Sequence, residues 1–329
     1  MASKIEKTLA RLQQRIQEGQ FYEAHQQLRV VASRYVKQEN YQAAVDVIYT
    51  GAQALLKAGQ GGSGGDLCLF LVDALKNGDV EPDAATKGKL LTLLRLFSPE
   101  EPSRKRYIGD MIAWTSKCGE FPAGDPEFHH VAGSLFAEEH EPYDAERHLI
   151  LGTRDSAEIL ARMEYDWYAE DDSHTAPVYA ARTVLPYLLV GNVRDANKSL
   201  QVFTSLLTES SKSLGSQQVS SASADVRIFP SLPLLNFLSL LLLAVQRGSA
   251  DLFRQLRSHY ATHLKEIGTW DDALDQVGEM YFGIEIPRQS NPLLDMMGNL
   301  FGGGGSGQTQ KPKTRRIEAP SAPPSMELD

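Results

Sequence analysis

The chain has 329 residues, 42% of them hydrophobic, with 33 Lys+Arg against 42 Asp+Glu and a formal charge of −9. That length can bury a large core in one extended domain or two ordinary ones, and the acidic balance argues against a body built to coat nucleic acid or an anionic membrane. Two cysteines, Cys68 and Cys118, lie in apolar helical patterns; they are too few to make a metal site and read as thiols of a reducing compartment.

The amino-terminal MASKIEKTLARL is charged throughout and has no apolar run of the signal-peptide kind. In the first predicted helix Ile5, Leu9, Leu12 and Ile16 form an apolar stripe, while Lys4, Lys7, Arg11 and Arg15 form a basic one on another face. Such a charge run is ordinarily a solvated face; on an acidic chain it is also a candidate contact for an acidic partner. Gly19 ends this helix. The second helix turns Ala24, Leu28, Val31 and Tyr35 inward, sets His25 and Arg29 on a neighbouring face, and carries Arg34 and Lys37 near its end. His25 reads either as a structural hydrogen-bonder or as a pH-sensitive contact. A third helix buries Val45, Ile48, Ala52 and Leu55. The starts Tyr22-Glu23-Ala24 and Tyr41-Gln42-Ala43, with a further copy at Tyr143-Asp144-Ala145, are the recurrences expected of stacked helical pairs.

The run from Gly59 to Gly64 matches the dinucleotide-binding glycine pattern on paper, but a helical pattern precedes it and no phosphate-binding lysine loop occurs. It reads as a tight turn with Asp66 as N-cap of the next helix. Asn77-Gly78 stops that helix, and Asp83 starts a leucine-rich one ending at Phe97. Ser98-Pro99-Glu100-Glu101 and Asp155-Ser156-Ala157-Glu158 read as capping boxes, and Asp125-Pro126 opens a helix with Phe128, Val131 and Leu135 inward. Pro186 is expected to kink or split its helix. Val193, Ala196, Leu200, Phe203 and Leu207 follow as one stripe, then a serine-rich loop from Ser210 to Ser223. Asp225–Phe229 is the one credible strand, and its hairpin is either purely structural or an edge offered to a partner. Helices resume at Pro233, Ala250 and Trp270 and end near Gly283; Leu234–Val245 is too short to span a bilayer. After Asn291-Pro292 comes a short Met-rich amphipathic piece, and 302–329 reads as a disordered tail whose Lys311, Lys313, Arg315 and Arg316 are a nuclear signal or simply solvated.

Catalytic chemistry is not legible. His259 and His263 stand four apart without the glutamate of a zinc-protease helix, and Glu138, Glu139, His140 and His148 crowd one region with no nucleophile beside them. A basic RNA-binding repeat is disfavoured by the net charge, and a proteasome-lid-like scaffold by the lack of a carboxyl-terminal winged-helix pattern.

The stretches YEAHQ at 22–26, RY at 34–35, GA at 51–52, KAGQGGSGGDL at 57–67, GDP at 124–126, AERHLILGT at 145–153, LNFLSLLLLA at 235–244 and DMMGNLFGG at 295–303 resemble, in order and spacing, the Golgi-to-ER traffic protein four family. The resemblance implies an all-α fold: an α-solenoid of stacked antiparallel helix pairs, a TPR-like superhelix, with one small β-hairpin near 219–230. It implies amino-terminal repeats (1–152) that dock on the ATPase targeting tail-anchored membrane proteins to the ER. Carboxyl-terminal repeats (153–290) would hold a ubiquitin-like protein, which recruits a TPR co-chaperone, and 291–329 would form the tail. The implied role is that of a cytosolic, non-enzymatic adaptor favouring the ATP-bound, client-ready state, with no cofactor, no nucleic acid and no membrane insertion of its own. For ATPase docking the expected residues are Lys4, Lys7, Arg11, Arg15, His25, Lys37, Asp66 and Asp73, with Phe21 or Tyr22 as aromatic anchor or core. Asp66 and Asp73 have plainer readings, as an N-cap and a solvated side chain. For the ubiquitin-like partner they are Val226, Ile228, Phe229, Leu234, Leu235 and Phe237.

Overall fold

The computed structural model describes residues 2–211, 214–221 and 224–285. The amphipathic piece after Pro292 and the basic tail lie outside them. Among the described residues the order is α1 (Ala2–Gln17), α2 (Phe21–Lys37), α3 (Tyr41–Lys57), α4 (Gly61–Asn77), α5 (Ala84–Leu94), α6 (Ser103–Cys118), α7 (Pro126–Glu138), α8 (Pro142–Leu149), α9 (Ser156–Tyr168), α10 (Ala176–Leu189) and α11 (Val193–Ser210). A two-stranded sheet follows, β1 (Gln217–Ser221) and β2 (Ala224–Ile228), then α12 (Pro233–Arg247), α13 (Ala250–His259), α14 (Ala261–Ile267) and α15 (Asp271–Phe282).

The connections explain the repeated starts. Gly19, Glu39, Gly59 and Asp79 all adopt positive φ, at 79°, 56°, 73° and 44°. In each case the next residue's N–H reaches back to a carbonyl of the finished helix: Gln20 to Arg15, Asn40 to Tyr35, Gln60 to Leu55 and Val80 to Leu75. This is the left-handed helix stop that satisfies orphan carbonyls, and after Gly19, Glu39 and Gly59 it reverses the chain in three residues. The same turn recurs at His140 and Gly191. Each helix therefore folds back on its predecessor, and each pair stacks on the next: α1 against α3, α2 against α4, α4 against α6, α7 against α9, α10 against α12. This is the expected α-solenoid of helix pairs. The apolar stripes run together as a continuous core from Leu12 to Val277, and packing passes residue 152 without interruption through α7, α8 and α9.

The glycine run belongs to a helix. α4 starts at Gly61 with Gln60 before it, so Asp66 lies inside the helix and caps nothing. A Cβ at Gly64 would fall 2.7 Å from the Leu56 side chain and 3.2 Å from the Leu56 backbone nitrogen. One at Gly65 would fall 3.3 Å from the Phe97 ring. Close approach of α4 to α3 and to the segment before α6 outweighs the poor helix propensity of glycine, about 1 kcal/mol per residue against alanine. Other boundaries move for similar reasons. The leucine-rich helix ends at Leu94, and α6 begins at Ser103, where Glu101 accepts a hydrogen bond from the Ser103 hydroxyl instead of closing a box with Ser98. Asp155 precedes α9 without a side-chain cap bond. α10 continues through Pro186 to Leu189 and is not split, giving up the one backbone bond that Pro186 cannot donate to the turn before it.

Two substitutions separate these uses of glycine. Gly88 lies exposed inside α5, and a Cβ there meets nothing within 4 Å. Gly88→Ala is expected to stabilise by about 0.5–1 kcal/mol. Gly64→Ala should destabilise by about 1–2 kcal/mol, since the backbone it meets has no room to retreat. Urea-unfolding midpoints at constant m-value measure both, and a gain at Gly64 would contradict the packing account.

Candidate partner-binding surfaces

At the amino-terminal end, Lys7 and Arg11 of α1 and Arg34 and Lys37 of α2 are exposed, and Arg15 is half-buried. None of these five makes an ion pair, and among the described cations up to Lys57 only Arg29 does. The interior of the stack differs sharply. All lysines and arginines from Lys76 to Arg182 except Arg95 and Arg154 are paired, mostly between helices: Lys76–Asp110 at 2.7 Å, Lys89–Asp46 at 2.6 Å, Lys105–Asp144 at 2.7 Å, Arg182–Glu146 at 2.6 Å. Unmatched positive charge thus collects on α1 and α2, with Lys57 at the end of α3. The side chain of Lys4 falls outside those described.

Burial separates the two aromatic residues. Phe21 packs against the core, whereas Tyr22 is 70% exposed, and Val30 on the same helix is 59% exposed. Val30 went unnoticed in the sequence because it lies off the apolar stripe, and its exposure is the only signal it gives. His25 and Asp66 are brought together: His25 Nε2 is 2.7 Å from an Asp66 carboxylate oxygen, and Arg29 grips the same carboxylate while lying 5.1 Å from the Phe70 ring centroid. Burial alone would raise the Asp66 pKa, but the hydrogen bonds from Arg29 and then His25 outweigh it and hold the carboxyl below its ordinary value. Asp73 stands exposed without an ion pair.

Near the other end, β1 and β2 pair antiparallel with Gln217 opposite Ile228. β2 packs on α12. Phe229, just past the strand, is fully buried, and its backbone N–H and C=O are both held by the Asn236 side chain, at 2.8 and 2.9 Å. Leu235 and Phe237 are also fully buried, Phe237 lying 5.5 Å from the Tyr260 ring. These three form the floor of the ledge rather than its contact surface, because an amphipathic helix under a hairpin spends its largest apolar side chains on the core. Ile228 and Leu234 are half-buried and reach the surface; the Val226 side chain falls outside those described. Beside them a cavity of about 330 Å³ opens between α11, the hairpin and α12, lined by Leu200, Thr204, Gln218, Arg227 and Leu242. The α11 residues were not singled out from sequence, since their spacing marks them only as core.

The residues suggestive of catalysis are accounted for structurally. His259 and His263 fall in different helices, α13 and α14, separated at Tyr260, and no group of His, Cys, Asp or Glu suited to a metal occurs among the described residues. Glu139 binds the buried Arg104 at 2.7 Å, and His148 Nδ1 lies 3.1 Å from His129 Nδ1. His129 Nε2 donates to the Ala123 carbonyl, which leaves its Nδ1 as acceptor for His148. Burial, then the neighbouring His129, lowers the His148 pKa to about 4. Glu164 is fully buried beside Glu146 and 3.2 Å from Arg182 Nε, with neither carboxyl oxygen in hydrogen-bonding alignment. Burial, with Glu146 next to it, raises its pKa well above the carboxylate range. No described helix is long and apolar enough to cross a membrane.

Stacked helical pairs with unpaired basic side chains on the first two helices and a hairpin near the other end define a helical-repeat scaffold. Residues 38–301 match the family described as Golgi to ER traffic protein 4. The chain is 57% identical to Golgi to ER traffic protein 4 of Aspergillus fumigatus over 100% of both proteins, and 34% identical to that of Schizosaccharomyces pombe over 86% of this chain and 91% of the relative. A crystal structure of C. therm. Get4 superposes with a TM-score of 0.85 at 58% identity, covering 96% of this chain and 100% of that one. The chain belongs to the Golgi to ER traffic protein 4 family, and membership implies a role in ER-directed traffic.

The buried ionisable groups make stability depend on pH in opposite senses. Unfolded, His148 takes a proton near pH 6.5; folded, it stays neutral down to about pH 4, so its contribution is lost as pH falls through that interval. Glu164 holds its proton in the folded state after the unfolded chain has released it, so its contribution fades as pH rises above about 4.5. His148→Asn is expected to flatten the acid limb of the melting-temperature profile. Glu164→Gln should raise the melting temperature at pH 8 and change little at pH 4. Unchanged profiles would place both groups in water.

Proposed function

We propose that this protein is a non-enzymatic cytosolic adaptor in the targeting of tail-anchored membrane proteins to the ER. Its amino-terminal helices dock on the targeting ATPase and favour the ATP-bound, client-ready state. Its carboxyl-terminal hairpin and α12 hold a ubiquitin-like protein, through which a TPR co-chaperone is recruited. The observation carrying the first assignment is the uncompensated charge on α1 and α2: Lys7, Arg11, Arg15 and Lys37 make no ion pair, whereas most cations deeper in the stack are consumed by neighbouring helices. The unpaired cations on α1 and α2 supply a steering field, and exposed Tyr22 on α2 an aromatic anchor. Lys4 is expected to extend that field. Asp66, tied to His25 and Arg29, keeps the α2–α4 face in one arrangement, and exposed Asp73 offers a contact of opposite sign. For the ubiquitin-like partner, Ile228 and Leu234 supply accessible apolar surface over the floor of Phe229, Leu235 and Phe237, with Val226 assigned to the same ledge.

The test is binding to the targeting ATPase with and without ATP, at low and high salt, for the wild type and the Lys7→Glu, Lys37→Glu variant. Binding should favour ATP, weaken with salt, and drop roughly tenfold or more in the variant, chiefly through slower association. Undiminished binding by the variant would move the site elsewhere. Absence of binding in every condition would leave a scaffold whose partner is another molecule.

A further inference from the structure

A groove of about 660 Å³ runs between the carboxyl-terminal half of α7 and α9 and belongs to neither surface above. Ala137, Pro142, Ile159, Met163 and Trp167 give it a largely apolar wall. The indole of Trp167 is fixed from behind: Tyr143 and Tyr179 meet it edge-on at 5.7 and 5.6 Å, and the Arg182 guanidinium lies 4.8 Å from its centroid. A rigid aromatic wall of this kind loses little entropy when something is laid against it.

Three carboxylates, Glu138, Asp166 and Glu170, border the groove, all exposed and none in an ion pair. Their placement works against the protein's own stability. Glu138 is the last residue of α7, Asp166 lies in the last turn of α9, and Glu170 follows just beyond it. Carboxylates there oppose the negative end of the helix dipole, and the like charges of Asp166 and Glu170 border the same groove. Arg162, the one lysine or arginine in the wall, is already matched by Glu158 at 2.9 Å. The groove therefore concentrates negative potential from two helix ends and three acids over an apolar floor, and leaves it unanswered.

We propose that the groove between α7 and α9 is a docking site for a basic amphipathic peptide segment. Its aliphatic side chains lie on Ile159, Met163 and Trp167, and its lysines or arginines meet Glu138, Asp166 and Glu170. A cationic segment is selected because it alone relieves both the carboxylate repulsion and the unfavourable dipole contacts; an acidic peptide adds to them.

The experiment uses a fluorescein-labelled peptide of Leu and Lys at helical spacing and a second with Glu replacing Lys. Both are titrated into wild type, into Glu138→Gln, Asp166→Asn, Glu170→Gln, and into a control of equal net charge, Glu120→Gln, Asp272→Asn, Glu279→Gln, altered at exposed acids outside the groove. The Leu/Lys peptide should bind wild type and control alike and bind the groove variant roughly tenfold more weakly, each exposed pair contributing a few tenths to 1 kcal/mol. Met163→Ala should weaken it without changing the salt dependence. The unliganded groove variant should melt higher than wild type. Equal losses in groove variant and control, equal binding of the Leu/Glu peptide, or no binding to wild type would each overturn the proposal.

Discussion

The left-handed reversal that recurs between successive helices is the constraint from which the architecture follows. Where Gly19, Glu39 and Gly59 enter the left-handed region, the last carbonyls of one helix are satisfied and the next helix starts at once; at Asp79 the same stop is followed by a short connection to α5. Antiparallel pairing and stacking bring residues about two helices apart in sequence face to face, and the interior cations find their acids there. Lys76 meets Asp110, Lys87 meets Asp125 and Arg104 meets Glu139 across that separation. The partly exposed pairs add little to stability individually. Their larger effect is on what remains: the charges left without a partner include the cations on α1 and α2 and the carboxylates beside the α7–α9 groove.

Much of the fold was legible because it rests on periodicity. The stripes through Leu12 and Ile16, through Ala24 and Leu28, and through Phe203 and Leu207 are buried as their spacing required. The hairpin was placed by a single alternating run. What failed was local reading of residues whose role is set by distant neighbours. The glycines before Asp66 signal a turn by propensity, yet they are small because Leu56 and Phe97 come close. Ser98 and Glu101 have capping-box spacing, but the chain turns once more before helix α6.

The sites were less legible for the same reason. His25 and Asp66 were each picked out, but their bond joins residues 41 positions apart and no pattern announced it. The sequence could not distinguish Phe21 from Tyr22, although adjacent helical positions face about 100° apart, and one went inward. Among the apolar residues near the hairpin, spacing could not separate Leu235 and Phe237, which build the core, from Leu234, which borders solvent.

The terminal position of α1 has one more consequence. It rests on α2 and α3 and, among the described residues, closes the stack at that end. In a quasi-linear array the end element opens more readily than the middle, since it has one neighbouring interface to lose and not two. Part of the basic face is built on this end element. A molecule seated across α1 and α2 acts as a clamp on a fraying end, and by mass action its affinity is coupled to the local folding equilibrium of that helix.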